Sequence, residues 1–183
     1  MRTKPIAAAL LLVWLTACQQ APVRDENSPR SRIVPGSTVV LNKPLTVPAG
    51  HARVFLQDGE VREKVRLKRY YPHCNFEIRS VSDGTLRIEP GRFLVTGIST
   101  DEVELVRRRG ALQYASLRLS DGGEMIPQVA RLIHHQLHAE GRPEVMRLTC
   151  HGGFSDPWRV EYPSVADIRQ DLGEWVTLEP AEP

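Results

Sequence analysis

Turn-forming residues divide most of the chain into short segments, and this spacing constrains the fold more than any other feature. The segments between turns are rich in Val, Leu, Ile, Phe, Tyr and Thr. Such spacing is typical of all-β and α+β proteins. The turn signals, all of them containing Gly or Pro, lie at 42–44, 48–50, 58–59, 83–84, 90–91, 109–110, 121–123 and 152–153.

The segments between these turns are candidate strands. Several alternate between apolar and polar residues, for example Phe76 and Ile78 against Glu77 and Arg79. Alternation indicates strands with one face on a core and the other in water. We therefore predict a β-rich fold, all-β or α+β, whose antiparallel sheet forms a sandwich or barrel. The candidate strands are 38–41, 52–57, 60–70, 75–80, 86–88, 93–98, 102–107 and 112–119.

Segment 125–139 fits two kinds of secondary structure. Val129, Ile133 and Leu137 share a face on either a helix or a strand. The residues at 140–143 would make a good hairpin connection, and this favours a long strand that pairs with 144–150. A helix remains the alternative.

One short helix is predicted near the C-terminus. Ser164 can cap its start with Asp167 three residues later, Ile168 and Leu172 are spaced by one turn, and Gly173 ends it. A closing strand is expected at 175–178, before a tail at 180–183.

The N-terminus reads as a processing signal over residues 1–17. Arg2 and Lys4 precede an unbroken apolar run at 6–15, and small residues follow it. This run is too short to cross a bilayer, which takes about 20 residues. An ordinary cleaved signal peptide with an incidental cysteine at position 18 is the alternative.

The cleavage region Leu15-Thr16-Ala17-Cys18 resembles the lipobox of bacterial lipoproteins. The resemblance implies that Cys18 carries a diacylglycerol, that the signal is cut before it, and that the new amino group is acylated. Gln19 stands where the inner-membrane retention signal of that family has Asp. The resemblance therefore implies a protein held on the periplasmic face of the outer membrane by its N-terminal lipid.

The rest of the chain divides into a tether and one domain. Residues 18–32 are almost entirely polar, so we expect a flexible lipidated tether there. No second linker and no internal repeat follows, which favours a single β-rich domain over 33–179. Without Arg2 and Lys4 the mature chain carries equal numbers of basic and acidic residues, which argues against nucleic-acid binding.

Two cysteines remain once Cys18 is assigned to the lipid. Secretion would place Cys74 and Cys150 in an oxidising compartment, so an intramolecular disulfide is the favoured interpretation. The flanking His73 and His151 leave a Cys2His2 metal site as the alternative, although neither pair has the usual ligand spacing.

A second candidate for metal binding is the pair His134 and His138. Residues four apart share a face on both a helix and a strand, so both interpretations of 125–139 allow two ligands. The segment lacks the glutamate of the H-E-x-x-H zinc motif. A polar face of a surface element is the alternative, and we predict no cofactor.

Two basic runs are weak candidates for binding anionic lipid, lipopolysaccharide phosphates or peptidoglycan carboxylates. One lies on the predicted strand 60–70 and the other ends the predicted strand 102–107. Nearby glutamates favour the alternative of a solvated, neutralised face. The basic residues are Lys64, Arg66, Lys68, Arg107, Arg108 and Arg109. The glutamates are Glu60, Glu63, Glu102 and Glu104.

No sequence motif for catalysis is present. Residues 152–156 do not form a G-x-S-x-G elbow, and the chain has no S-x-x-K motif and no phosphate-binding glycine loop. Segments 52–59, 71–77, 88–93 and 143–150 resemble a group of proteobacterial lipoproteins of uncharacterised activity. That resemblance implies that the two cysteines lie on pairing strands.

The sequence thus predicts a non-enzymatic, lipid-anchored envelope lipoprotein that binds or scaffolds another envelope component. One alternative is an envelope hydrolase or metal-dependent enzyme, which would need a pocket with His134, His138 and a carboxylate, or Ser155 in contact with His151. Another is a module that handles lipid or lipopolysaccharide, which would need a concave apolar groove.

Overall fold

The computed structural model describes residues 25–105, 127–142 and 144–181. These residues form ten strands and one α-helix. The elements are β1 (Thr38–Leu41), β2 (Leu45–Val47), β3 (Arg53–Gln57), β4 (Glu60–Arg62), β5 (His73–Ile78), β6 (Leu86–Ile88), β7 (Gly91–Leu105), β8 (Gln128–His138), β9 (Val145–His151), α1 (Val165–Leu172) and β10 (Val176–Glu179).

Eight of the strands form one antiparallel sheet that curls into a half-barrel. Its order is β10-β1-β7-β8-β9-β5-β3-β4, and β2 pairs with β6 separately. The prediction of a β-rich fold with an antiparallel sheet and one short C-terminal helix is confirmed.

The hydrophobic core lies on one face of this sheet. Phe76, Phe93 and Leu148 come from three different strands of the sheet, and Ile168 and Leu172 come from α1. Helix α1 contacts β10 at one edge of the sheet and β3 beside the other edge. The helix therefore spans the open side of the half-barrel and covers the apolar face.

The ends of α1 follow the sequence prediction. The Ser164 Oγ accepts a hydrogen bond from the Asp167 N–H at 3.1 Å, and an Asp167 carboxylate oxygen accepts one from the Ser164 N–H at 2.9 Å. Gly173 ends the helix with a φ of +50°. A Cβ at this position would lie 2.6 Å from the Gly59 Cα, so only glycine fits here.

Most predicted strands are present, and their differences from the structure have physical reasons. Segment 93–98 and residues 102–105 are parts of the single strand β7, which pairs with β8 from Leu94 to Leu105, and residues 106–107 lie outside the described residues. Segment 125–139 contains strand β8, which pairs with β9, so the favoured interpretation is confirmed. Strand β2, between two prolines, was not predicted. The predicted strand at 112–119 lies outside the described residues.

The predicted strand at 60–70 is wrong beyond its first residues. Strand β4 ends at Arg62, and Lys64–Arg66 form a single 3-10 turn. Strand β4 is the edge strand among the described residues, and none of their strands pairs with its outer side. Val65 is 85% exposed, so this segment has no core to face.

The prediction of a flexible tether is wrong for residues 25–32. Ser31 is buried, and its Oγ accepts a hydrogen bond from the Val165 N–H at 2.9 Å. The Glu26 carbonyl accepts one from the Ala166 N–H at 3.0 Å. These acceptors satisfy N–H groups in the first turn of α1 that have no partner within the helix. The signal 1–17, Cys18 and the remaining tether residues 19–24 lie outside the described residues.

Asp171, near the end of α1, has an unusual carboxyl group. One oxygen accepts a hydrogen bond from the Asp58 N–H at 3.2 Å, and the other is buried with no partner among the described residues. Burial raises the pKa of this carboxyl from 3.8 to about 7. Above pH 7 the folded protein therefore holds a buried charge that the unfolded chain exposes to water.

We expect Asp171→Asn to stabilise the protein more at pH 8 than at pH 5. Because the pKa of the Asp171 carboxyl is raised in the folded protein, its contribution to stability is fully present below pH 3.8. That contribution is lost as the pH rises through about 7. The neutral amide does not undergo this loss, so its gain in the free energy of unfolding should be about 2 kcal/mol larger at pH 8 than at pH 5. Urea unfolding at both pH values measures it. An equal change at the two pH values would contradict the assignment.

Candidate functional site

A disulfide joins two neighbouring strands, β5 and β9, near the centre of the sheet. Cys74 on β5 and Cys150 on β9 are register partners with their Cα atoms 4.1 Å apart, and both side chains are fully buried in the core. The predicted disulfide is confirmed. Because both sulfurs are bonded to each other, neither is a thiolate ligand, and the Cys2His2 alternative is wrong for this state of the protein.

The neighbouring register pair places two histidines on the opposite face of the sheet. The rings of His73 and His151 are stacked, with centroids 4.4 Å apart. Burial lowers the pKa of both imidazoles, that of His151 to about 3 with a further contribution from His73. Both rings are therefore neutral at physiological pH and can stack without charge repulsion.

Glu77 is the centre of a polar cluster on this second face. Its carboxylate accepts hydrogen bonds from the Thr149 hydroxyl at 2.7 Å, the Arg147 guanidinium at 3.0 Å and the Asn75 amide at 3.1 Å. The Arg53 Nε lies 3.4 Å away. We call Glu77 and these four residues the Glu77 cluster. It ties β3, β5 and β9 together.

Alternation along β5 predicted that Glu77 lies in water, and that prediction is wrong. Glu77 is only 4% exposed, and every residue of β5 is buried. Burial alone would raise the pKa of this carboxyl, but the hydrogen bonds from Thr149, Arg147 and Asn75 and the charge of Arg53 outweigh it and lower the pKa. Glu77 is therefore an ionised carboxylate inside the protein.

His134 extends the Glu77 cluster onto β8. Its Nδ1 lies 2.8 Å from the Thr149 Oγ1. Because the only hydroxyl proton of Thr149 is given to Glu77, the Nδ1 of His134 must be the donor to Thr149. Burial, followed by the charge of Arg147, lowers the pKa of His134. His134 is thus a neutral ring whose Nε2 is the acceptor.

The structure does not bring His134 and His138 together as metal ligands. His138 is exposed at the end of β8, about 13 Å along the strand from His134. Ser155 pairs with Val129 through the backbone, while His151 stacks on His73. Within the part of the chain that the structure describes, no group of three or more His, Cys, Asp or Glu side chains could hold a metal ion.

The first basic run is not a strand face, because its residues lie in and after the 3-10 turn. Arg66 lies 3.8 Å from Glu63, and Lys68 is paired with Asp58 at 3.1 Å. Pairing with nearby carboxylates is the alternative that the sequence analysis left open. The second run, Arg107, Arg108 and Arg109, lies outside the described residues.

A groove of about 450 Å³ lies beside β4 and was not predicted. It forms where β3 extends past its last pairing with β4, which joins Phe55 to Arg62. Apolar side chains of Pro48, Phe55, Val61 and Val65 line it. The only sequence signal for it was the pair of valines within the otherwise charged segment 60–66.

Basic side chains surround the apolar part of this groove. They are His51, Arg53, Arg62 and Lys64, against one acidic lining residue, Glu63. Arg62 pairs with Glu60 at 2.8 Å through one terminal nitrogen, but its Nε is buried and has no hydrogen-bond partner among the described residues. Arg53 lies 3.4 Å from Glu77, so carboxylates pair with both arginines of the lining. The groove, which we call the β4 groove, combines an apolar floor with a rim of paired charges.

The chain matches no family model, no curated protein and no solved structure in the three comparisons made. Within residues 25–105, 127–142 and 144–181, no helix is long and apolar enough to cross a membrane.

Proposed function

We propose that the protein is a lipid-anchored lipoprotein of the cell envelope. In this proposal Cys18 carries the lipid, and the β-rich domain lies on the periplasmic face of the outer membrane. The observation that supports the proposal is the buried Cys74–Cys150 disulfide. Disulfides of this kind form and persist in oxidising compartments, and this agrees with the secretory signal and lipobox read from the sequence.

We further propose that the domain binds another envelope component and is not an enzyme. The side chains best suited to proton transfer, Glu77 and His134, are buried and bonded to their neighbours. The β4 groove, in contrast, is concave, apolar at its base and charged at its rim. Those are the properties of a binding site for a small or extended ligand.

Replacing the lipidated cysteine tests the anchor. We expect Cys18→Ser to abolish incorporation of a clickable fatty acid in cells and to leave unprocessed precursor, because no thiol remains to accept the lipid. Gln19→Ala is the matched control and should keep full labelling. Labelling of Cys18→Ser at the wild-type level would contradict the proposal.

A further inference from the structure

We propose that the unpaired side of strand β7 binds an extended basic segment of a partner protein as an added strand. The site is the part of β7 from Thr96 to Leu105, which we call the β7 edge. This inference goes beyond the proposed function, because it depends neither on the lipid anchor nor on the β4 groove.

The β7 edge is a long strand that is paired on one side. Strand β8 pairs with β7 as far as Leu105, whereas β1 pairs only with Gly91–Leu94. Val95 makes the last backbone hydrogen bonds on the side of β1, both at 2.9 Å. From Thr96 onward, no strand within the described part of the chain lies on that side of β7.

Hydrogen bonds made by β8 show which groups of the β7 edge point outward. Val129 exchanges both of its backbone hydrogen bonds with Ser155, at 2.9 Å each, so its N–H and C=O point away from β7. Register partners in an antiparallel pair either bond to each other or both point away. Glu104, the register partner of Val129, therefore points its own N–H and C=O away from β8. Because this orientation alternates along a strand, the other outward residues are Glu102, Thr100 and Ile98.

These outward backbone groups are open to a partner. Among the described residues, only the Glu102 N–H has a hydrogen-bond partner, the Asp101 carboxylate at 2.8 Å. Residues 98–102 and 104 are exposed. The β7 edge contains no proline, which would remove an outward N–H. It therefore offers the row of main-chain hydrogen bonds from which an added strand gains its affinity.

The side chains of the β7 edge favour a basic segment. Asp101, Glu102 and Glu104 are acidic, and the β7 edge has no basic residue. Glu102 lies 3.2 Å from Arg131 on β8, whereas Asp101 and Glu104 have no ion pair among the described residues. Opposite charges on paired strands stabilise the pairing, so lysine or arginine opposite these two carboxylates would strengthen binding.

A second copy of the chain fits the β7 edge less well. Two copies pair only in registers that match outward groups with outward groups. The registers centred on Asp101 or Glu102 place that carboxylate opposite its own copy, which is destabilising. The register centred on Thr100 avoids this opposition but still brings the carboxylates of both copies onto one shared edge. The acidic residues that keep two copies apart attract a basic strand.

The positions of the acidic residues predict the pattern of the partner. We design for antiparallel pairing, which is the arrangement throughout the sheet and the more stable one per residue. Basic residues opposite Glu104, Glu102 and Asp101 would lie at positions i, i+2 and i+3 of the added strand, and an apolar residue opposite Ile98 at i+6. The heptapeptide Lys-Val-Lys-Lys-Thr-Thr-Val has this pattern and serves as the probe.

Amide hydrogen exchange of the purified full chain, followed by NMR, tests the proposal. In the free protein the outward N–H groups of Ile98, Thr100 and Glu104 should exchange rapidly, while the N–H groups of Ser99 and Val103, which face β8, should exchange slowly. With the free probe at ten times its Kd, exchange of the three outward groups should slow by about tenfold.

Two altered peptides separate main-chain pairing from charge attraction. Methylation of the third and fifth backbone nitrogens of the probe keeps its charge and removes two donors to the β7 edge, so we expect its affinity to fall by about tenfold. The acidic peptide Glu-Val-Glu-Glu-Thr-Thr-Val keeps the donors and should show no binding at the same concentrations, because its charges repel those of the β7 edge. Fluorescence anisotropy of labelled peptides measures both affinities.

Variants of the protein test the same two contributions. Thr100→Pro removes an outward N–H, which an edge strand tolerates, and should weaken binding of the probe by about tenfold. Its matched control Thr100→Val keeps the N–H and should bind like the wild type. Glu104→Gln should weaken binding by about threefold, as for one exposed ion pair. Its matched control is Glu89→Gln, an exposed residue outside the β7 edge, and it should have no effect.

Any of four results would overturn the proposal. These are equal affinity of the methylated probe, equal affinity of the acidic peptide, protection by the probe at amides outside 96–105, and slow exchange of the outward amides in the free protein. The last result, together with a dimer in analytical ultracentrifugation, would show that a second copy occupies the β7 edge. Circular dichroism and the unfolding midpoint of each variant establish that it is folded.

Discussion

Removal of the Cys74–Cys150 disulfide is expected to lower the free energy of unfolding by about 4 kcal/mol. The bond closes a loop across 76 residues, and opening it returns conformational freedom to the unfolded chain. It also joins β5 to β9 near the middle of the sheet, so its loss affects the strands that hold the Glu77 cluster.

The measurement compares urea unfolding of the oxidised protein, the protein reduced with a phosphine, and the variant Cys74→Ala/Cys150→Ala. Alanine is chosen because serine would place hydroxyl groups in a fully buried part of the core. The reductant should have no further effect on the double variant. Native protein that reacts with a maleimide before reduction would contradict the assignment, because its thiols would then be free.

Glu77→Ala is expected to cost about 3 kcal/mol of unfolding free energy, the magnitude for removing one partner of a buried ion pair. The loss leaves Arg147, a largely buried guanidinium, without its carboxylate, and it also removes the acceptor for the Thr149 hydroxyl. Glu77→Gln should cost less, since its side chain keeps the shape and one acceptor oxygen.

The effect of Glu77 also depends on pH. Its lowered pKa means that the ionised carboxylate stabilises the folded protein above its ordinary value of 4.5, and that this contribution is lost as the pH falls through the folded value. The difference in the free energy of unfolding between wild type and Glu77→Gln should therefore become smaller below about pH 4. Chemical unfolding from pH 3 to 7 measures it.

A matched control for Glu77 is Glu89→Ala, which breaks the exposed pair between Glu89 and Arg87. Pairs of that kind contribute less than about 1 kcal/mol. If the two alanine variants lose the same stability, the Glu77 cluster is not the buried network described above.

Local patterns predicted those parts of the fold that depend on neighbouring residues in sequence. The cap of α1 at Ser164 depends on a residue three positions away, and the pairing of β8 with β9 follows from a short connection. The disulfide was predictable for a different reason, since it followed from the predicted secretory signal and from the two cysteines that remain when Cys18 is assigned to the predicted lipid.

The parts that sequence did not predict depend on packing between distant segments. Alternation placed Glu77 in water, because the pattern along β5 contains no information about Arg147, 70 residues later. The β4 groove needs β2, β3 and β4 assembled side by side. The contact of residues 25–32 with α1 was missed because it depends on Ser31 and backbone acceptors and not on apolar side chains.

The hydrogen bonds between residues 25–32 and the first turn of α1 limit the distance between the folded domain and its proposed lipid anchor. If Cys18 carries a lipid as we propose, only residues 18–24 separate that lipid from the folded domain. Seven residues span at most about 25 Å when fully extended. The domain would then stay close to the lipid surface that anchors it, and a partner deeper in the periplasm would have to approach that surface.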